Sequence, residues 1–184
     1  MLELARALAV CDESFYGGWI MAGVEAHIKG KAVHYDNKLL LNKKSKSIFE
    51  VKGTTAFGTE TKSLRVFLVM PQPGAAAPTQ EAEFPGKLVF KHIFTKAEVD
   101  EYVAYTGDEN IVHKGPKPLV PGLCMAAYIQ QDLGLEQLDW RIAFKNPVYA
   151  GEELVVYTKE GQITAFVGER VVFVISVKNT IQSI

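Results

Sequence analysis

The sequence predicts an α+β protein made of two copies of one unit, an apolar helix wrapped by an antiparallel sheet. Three observations predict it. A run that is apolar on most sides, Leu123-Cys124-Met125-Ala126-Ala127-Tyr128-Ile129, reads as a buried helix and is followed by short β-prone runs. The same order, helix then strands, recurs in the first part of the chain at an offset of roughly one hundred residues. Between the two parts lies Pro71-Gln72-Pro73-Gly74-Ala75-Ala76-Ala77-Pro78-Thr79-Gln80, which is rich in proline and small residues and has no apolar periodicity. The expected division is 1–70, a linker at 71–83, and 84–184.

The second part opens on a β-prone run at 88–94. Thr95 then caps a helix, with Glu98 three residues on to complete a capping box. Val99, Tyr102 and Val103 supply its buried stripe, and Thr106-Gly107-Asp108 ends it. Pro121-Gly122 starts the apolar helix. Strands are expected at 140–144, 153–159, 163–167 and 170–178. Lys159-Glu160-Gly161-Gln162 and Val167-Gly168-Glu169 provide the turns between the last three.

In the first part, Gly18-Trp19-Ile20-Met21-Ala22 aligns with Gly122-Leu123-Cys124-Met125-Ala126 and is expected to be the equivalent helix. Strands follow at 38–41, 48–53 and 65–69, the last opposite 169–173. Lys43-Lys44-Ser45-Lys46 reads as an exposed hairpin connection, and His34-Tyr35-Asp36 as a polar strand edge or turn. There is no room for an opening strand. The positions opposite Asp108 and His113 are Leu4 and Ala9, so one half carries polar groups that the other lacks.

Composition narrows the function. The chain has 184 residues, 48% hydrophobic, with 20 basic and 21 acidic side chains and a formal net charge of -1. A nucleic-acid partner needs a basic surface that displaces counterions, and an acidic membrane needs the same. The two cysteines, Cys11 and Cys124, make no disulfide framework and no zinc spacing, and His27, His34 and His92 make no metal spacing. Cys124 reads as a small core residue. The apolar run Ala7-Leu8-Ala9-Val10 is too short for a secretory core or a bilayer span. The expectation is a soluble cytoplasmic protein with no metal.

Chemistry concentrates in Gly107-Asp108-Glu109-Asn110-Ile111-Val112-His113, followed by Pro121-Gly122. A loop after a capped helix can bring Asp108 and His113 to one water, as general acid–base work requires. The first N–H groups of the helix at Gly122 have no internal acceptor and lie at the positive end of its dipole. Gly122 N–H is therefore the candidate oxyanion donor, next to Pro121. Asn110 is expected to orient the loop or Asp108. Tyr105 and Val120 are expected to line the adjoining substrate channel. Lys114 and Lys117 flank the mouth, either as solvated loop lysines or as contacts for phosphate or an acidic carrier.

These motifs resemble the hotdog fold, and in particular the MaoC-like (R)-specific enoyl-CoA hydratases and 3-hydroxyacyl thioester dehydratases. Their motif runs Asp-x-Asn-Pro-x-His; here it is Asp108-Glu109-Asn110-Ile111-Val112-His113, with Ile111 in place of proline. The short connection from His113 to Pro121-Gly122 resembles instead the acyl-carrier-protein dehydratases, whose helix carries a catalytic Glu where this chain has Ala127. The resemblance implies a double hotdog with a degenerate first half, as in some members of the family. It also implies reversible hydration and dehydration of enoyl and (R)-3-hydroxyacyl thioesters in fatty-acid or polyketide metabolism. The partner would be acyl-CoA or acyl-carrier protein, with coenzyme A or phosphopantetheine as part of the substrate and no separate cofactor. Two rivals stand beside this reading: a hotdog thioesterase, and a non-catalytic acyl-binding subunit of a larger complex. A fused pair of sheets would cover its own edge, which leaves monomer and homodimer both open.

Overall fold

The computed structural model describes residues 1–9, 18–70 and 86–177. The expected linker, Cys11 and the end of the last strand lie outside them. The elements are α1 (Leu2–Ala9), β1 (Ile20–Ile28), β2 (His34–Lys43), β3 (Lys46–Thr54), β4 (Glu60–Val69), β5 (Lys87–Ile93), α2 (Lys96–Thr106), α3 (Gly122–Asp132), β6 (Leu138–Phe144), β7 (Glu153–Lys159), β8 (Gln162–Val167) and β9 (Arg170–Val177). No described helix is long and apolar enough to cross a membrane.

The two expected sheets are one. Nine strands pair in the order β2-β3-β4-β1-β6-β9-β8-β7-β5, all antiparallel. From the central β1–β6 pair the order runs outward as β4-β3-β2 on one side and β9-β8-β7 on the other. A helix precedes each set of four, α1 before β1–β4 and α3 before β6–β9. β5 and α2 belong to the second part alone.

The repeat is present in the order of elements but not in the expected alignment. Ile20, Met21 and Ala22 are not helical; they open β1, which pairs with β4 on one side and β6 on the other. Val24, Ala26 and Ile28 are buried and alternate with Glu25 and His27, a period-two pattern that a helix cannot satisfy. The helix of the first part is α1, of eight residues, beginning at Leu2 where α3 begins at Gly122. The alternation that follows the pentapeptide outweighs its similarity to α3.

Helix α3 is the centre of the second part. Leu123, Cys124, Met125, Ala126, Ala127 and Ile129 are all buried, so apolar groups surround its axis. The inner sheet face supplies Trp140, Ile142, Leu154, Val156, Phe173 and Ile175. In the first part Val24, Ala26, Phe49, Val51, Leu64 and Val66 perform the same task against Leu4 and Ala5 of α1. The opposite face is charged: Arg65 bridges to Glu50 at 2.7 Å, Lys52 to Glu60 at 2.9 Å, and His27 to Asp139 at 2.9 Å across β1–β6. One face toward the core and one toward water is the usual state of an antiparallel sheet.

Helix α2 begins and ends as expected. Thr95 Oγ1 accepts from Glu98 N–H, and the Glu98 carboxylate accepts from Thr95 N–H at 2.7 Å. Gly107 ends the helix at φ 76, where a side chain would be strained, and donates its N–H to Val103 O at 2.9 Å. Lys44 and Ser45 form the hairpin turn between β2 and β3.

Because α1 serves as the first part's core helix, truncating Leu4 (0% exposed) should cost about 2–5 kcal/mol by denaturant unfolding. Leu2→Ala on the same helix (39% exposed) should cost under about 1 kcal/mol. Equal costs would contradict the assignment.

Candidate active site

The loop after α2 is organised by its own side chains. Asp108 Oδ1 accepts the N–H of Asn110 at 3.0 Å, an Asx turn. Asn110 Oδ1 accepts the N–H of Val112 at 3.3 Å and caps a 3₁₀ turn, Ile111–His113. Asn110 Nδ2 donates to Trp19 O at 2.9 Å, which ties this loop to the first part of the chain just before β1. Ile111 stands at the first position of the turn and is 62% exposed. A first helical residue needs no internal N–H partner, so isoleucine and proline serve equally there.

His113 is held from one side. Its Nδ1 lies 2.7 Å from Leu119 O. A carbonyl only accepts, so Nδ1 carries the proton and the neutral ring leaves Nε2 as an acceptor. Nε2 faces Asp108 Oδ2 at 3.6 Å, too far for a direct hydrogen bond. His113 is 8% exposed, while Asp108 is about one-third exposed. The strand-like segment that carries Leu119 is itself anchored: Leu119 bridges to Tyr149, Val120 N–H donates to Val148 O at 2.8 Å, and Ala150 N–H donates to Pro118 O at 2.9 Å.

Both side chains open on a cavity of about 670 Å³. Its walls come from both parts of the chain. Ala5, Leu8, Trp19, Met21 and Leu68 belong to the first; Val112, Val120, Leu123, Met125 and Phe144 belong to the second. Asp108 is the one carboxylate among the lining residues, and Lys145 the one ammonium. Among the described residues no group of three or more side chains is placed to hold a metal ion.

The N-terminus of α3 reaches the same cavity. Pro121 and Gly122 line it, and Pro121 O accepts from Cys124 N–H at 3.0 Å and Met125 N–H at 3.2 Å. Gly122 N–H, the first of the helix, finds no acceptor among the described residues. Gly122 is also needed for packing: a Cβ there would meet Phe144 Cζ at 2.6 Å.

The structure thus brings Asp108, Asn110, His113, Val120, Pro121 and Gly122 to one cavity. It separates three others. Tyr105 does not line this cavity: it is 49% exposed, under the Arg6 guanidinium at 5.7 Å from its ring centre. The buried stripe of α2 is Val99, Tyr102 and Thr106, and Tyr105, one turn beyond Tyr102, falls at its exposed margin. Lys114 and Lys117 are exposed and do not line the cavity, although Lys117 Nζ lies 5.6 Å from the ring centre of Tyr149, which does. Sequence reasoning missed Lys145 and Trp19. Neither carries a local signal, because each joins the site only through strand pairing. Ala127 is buried in the core away from the cavity.

No protein-family model matches the chain, and no curated protein matches its sequence. Solved structures do. The chain has the fold of the MaoC-like dehydratases, shared with hotdog-type thioesterases. HtdX from Mycobacterium tuberculosis matches with a TM-score of 0.64 and 13% identity, over 89% of this chain and 78% of that one. A MaoC-like dehydratase matches at 0.68 and 12% identity, over 97% and 83%. An acyl-ACP thioesterase from Bacteroides thetaiotaomicron matches at 0.53 and 11% identity, over 86% and 75%. At these identities the likeness defines the fold, and the chemistry has to be argued from the site.

Burial pushes the Cys124 thiol up to about 12, with the Glu98 charge acting in the same direction. In a Cys11→Ala background, alkylation of Cys124 by iodoacetamide at pH 8 should be on the order of 100-fold slower than that of a free thiol or more. The rate should keep rising with pH well above 9, as thiolate forms. Ordinary reactivity at pH 8 would contradict the packing of α3.

Proposed function

We propose that this chain catalyses the reversible hydration of enoyl thioesters and dehydration of (R)-3-hydroxyacyl thioesters. The observation that carries the reading is the 3.6 Å separation of His113 Nε2 and Asp108 Oδ2, both open to an apolar cavity that ends at the N-terminus of α3. That gap suits a single oxygen held by both groups.

In hydration, a water between them donates one hydrogen bond to Asp108 and one to His113 Nε2. As its oxygen bonds to Cβ, Nε2 takes the proton. Negative charge moves to the thioester oxygen, where Gly122 N–H and the α3 dipole stabilise it. The imidazolium then gives its proton to Cα, and both groups return to their starting states. In dehydration the steps reverse: His113 Nε2 takes the α-proton, charge builds on the thioester oxygen, and the imidazolium gives that proton to the departing hydroxyl, which Asp108 orients and which leaves as water. Asn110 acts on none of these atoms; it shapes the loop.

The scaffold is read as a double hotdog, 1–70 and 84–184 joined by 71–83, with the first half reduced. Support comes from the repeated order of one helix followed by four strands, and from the shorter helix of the first half. The cavity walls suit an acyl chain. Lys145 at the cavity, with Lys117 and Lys114 nearby, suits the phosphates of coenzyme A or phosphopantetheine.

The likeness to an acyl-ACP thioesterase favours a second reading, in which the same water attacks the thioester carbonyl. One experiment separates the two. With a panel of enoyl-CoA substrates, Asp108→Asn and His113→Ala should each lower kcat for hydration by about 10²–10⁴-fold, with melting temperatures near wild type. Wild-type rates in both folded variants would refute the mechanism. Release of free thiol without loss of the enoyl absorbance would transfer the site to thioester hydrolysis.

A further inference from the structure

Tyr102 lies on the inner side of α2, is 7% exposed, and lines the cavity that holds Asp108 and His113. Its backbone carbonyl accepts from Thr106 Oγ1 at 2.9 Å, but its hydroxyl makes no hydrogen bond to any described residue. The side chain is part of the cavity wall. Buried tyrosine hydroxyls almost always find a partner, because an unpaired O–H in an apolar wall is costly and phenylalanine fills the same space without that cost. Among the described residues nothing fills that place, and the cavity beside Tyr102 leaves it to an occupant.

We propose that the Tyr102 hydroxyl donates a hydrogen bond to the β-oxygen of the substrate, the water in hydration and the 3-hydroxyl in dehydration. The proposal rests on the hydratase reading above. Its direction follows from the groups around it. Asp108 is an acceptor only, and neutral His113 offers Nε2 as an acceptor, so an oxygen between them uses its own hydrogens and keeps its lone pairs unmatched. Tyr102 supplies the donor that neither can. It stands on the helix that ends at Gly107-Asp108, and the Asp108 charge reaches it. The thioester carbonyl, by contrast, is met at Gly122. Burial holds the phenol well above its ordinary range, with Cys124 and Asp108 pushing the same way, so the hydroxyl stays protonated throughout turnover. No proton leaves Tyr102. It stabilises the charge that grows on oxygen as the C–O bond breaks.

The test uses binding without turnover. In a His113→Ala background, affinities for (R)-3-hydroxyhexanoyl-CoA and hexanoyl-CoA are measured by calorimetry with and without Tyr102→Phe. The hydroxylated ligand should weaken roughly three- to tenfold, and the saturated one by less than about twofold. The melting temperature of Tyr102→Phe should be unchanged or higher, because no internal bond is lost. Equal weakening of both ligands, or of neither, overturns the role of Tyr102 and leaves the hydratase reading standing. If the parent binds neither thioester, the hydratase reading falls and this proposal with it.

Discussion

Strand β1 is hydrogen-bonded on both sides, to β4 from Ile20↔Val69 to Ile28↔Lys62 and to β6 from Gly23↔Ala143 to Ile28↔Leu138. That double pairing is the constraint on which the rest of the molecule depends. It removes two sheet edges that would otherwise lie open to other chains. It sets Val24 against Ile142 and Ala26 against Trp140 on the core side, with His27 and Asp139 paired on the outer side. It also carries Trp19, just before the strand, to the loop that holds Asp108. A cavity bounded by α1 on one side and α3 on the other exists because the sheet is continuous beneath both.

Within that frame the site is built from local bonds that each limit one degree of freedom. Gly107 turns the chain out of α2, Asp108 and Asn110 fold the loop by capping N–H groups two residues ahead, and Leu119 O selects the His113 tautomer. Leu119 is itself positioned by its bridge to Tyr149. Asn110 alone reaches beyond the loop, to Trp19 O. The geometry of Asp108 and His113 thus depends on a contact between the two parts of the chain, although both side chains come from one.

The two parts differ in what they ask of their helix. α3 is eleven residues long, buried from Leu123 to Ala127, and its first residues, Gly122 and Leu123, line the cavity. α1 has eight residues, and Ala5, Leu8 and Ala9 turn toward that cavity as wall. A shorter helix with small side chains fills less of the space under its sheet. The described residues that the first part gives to the cavity wall are all apolar, so its contribution to the site is shape.

The sequence by itself determined most of the second part. The capping box at Thr95 and Glu98, the glycine stop at Gly107, the Pro121-Gly122 start and the turns at Gly161 and Gly168 are local effects, decided within a few residues by hydrogen bonding and backbone sterics. The Asp108-to-His113 spacing was legible for the same reason. Tertiary structure decided the rest. Residues 20–22 became strand because β4 and β6 offered hydrogen bonds on both sides, which a five-residue similarity to α3 cannot reveal. The two sheets merged along one seam. Which aromatic of α2 faces the cavity followed from where that cavity lies, so Tyr102 and not Tyr105 lines it. Trp19 and Lys145 joined the site through long-range pairing, which leaves no periodicity or motif to read in advance.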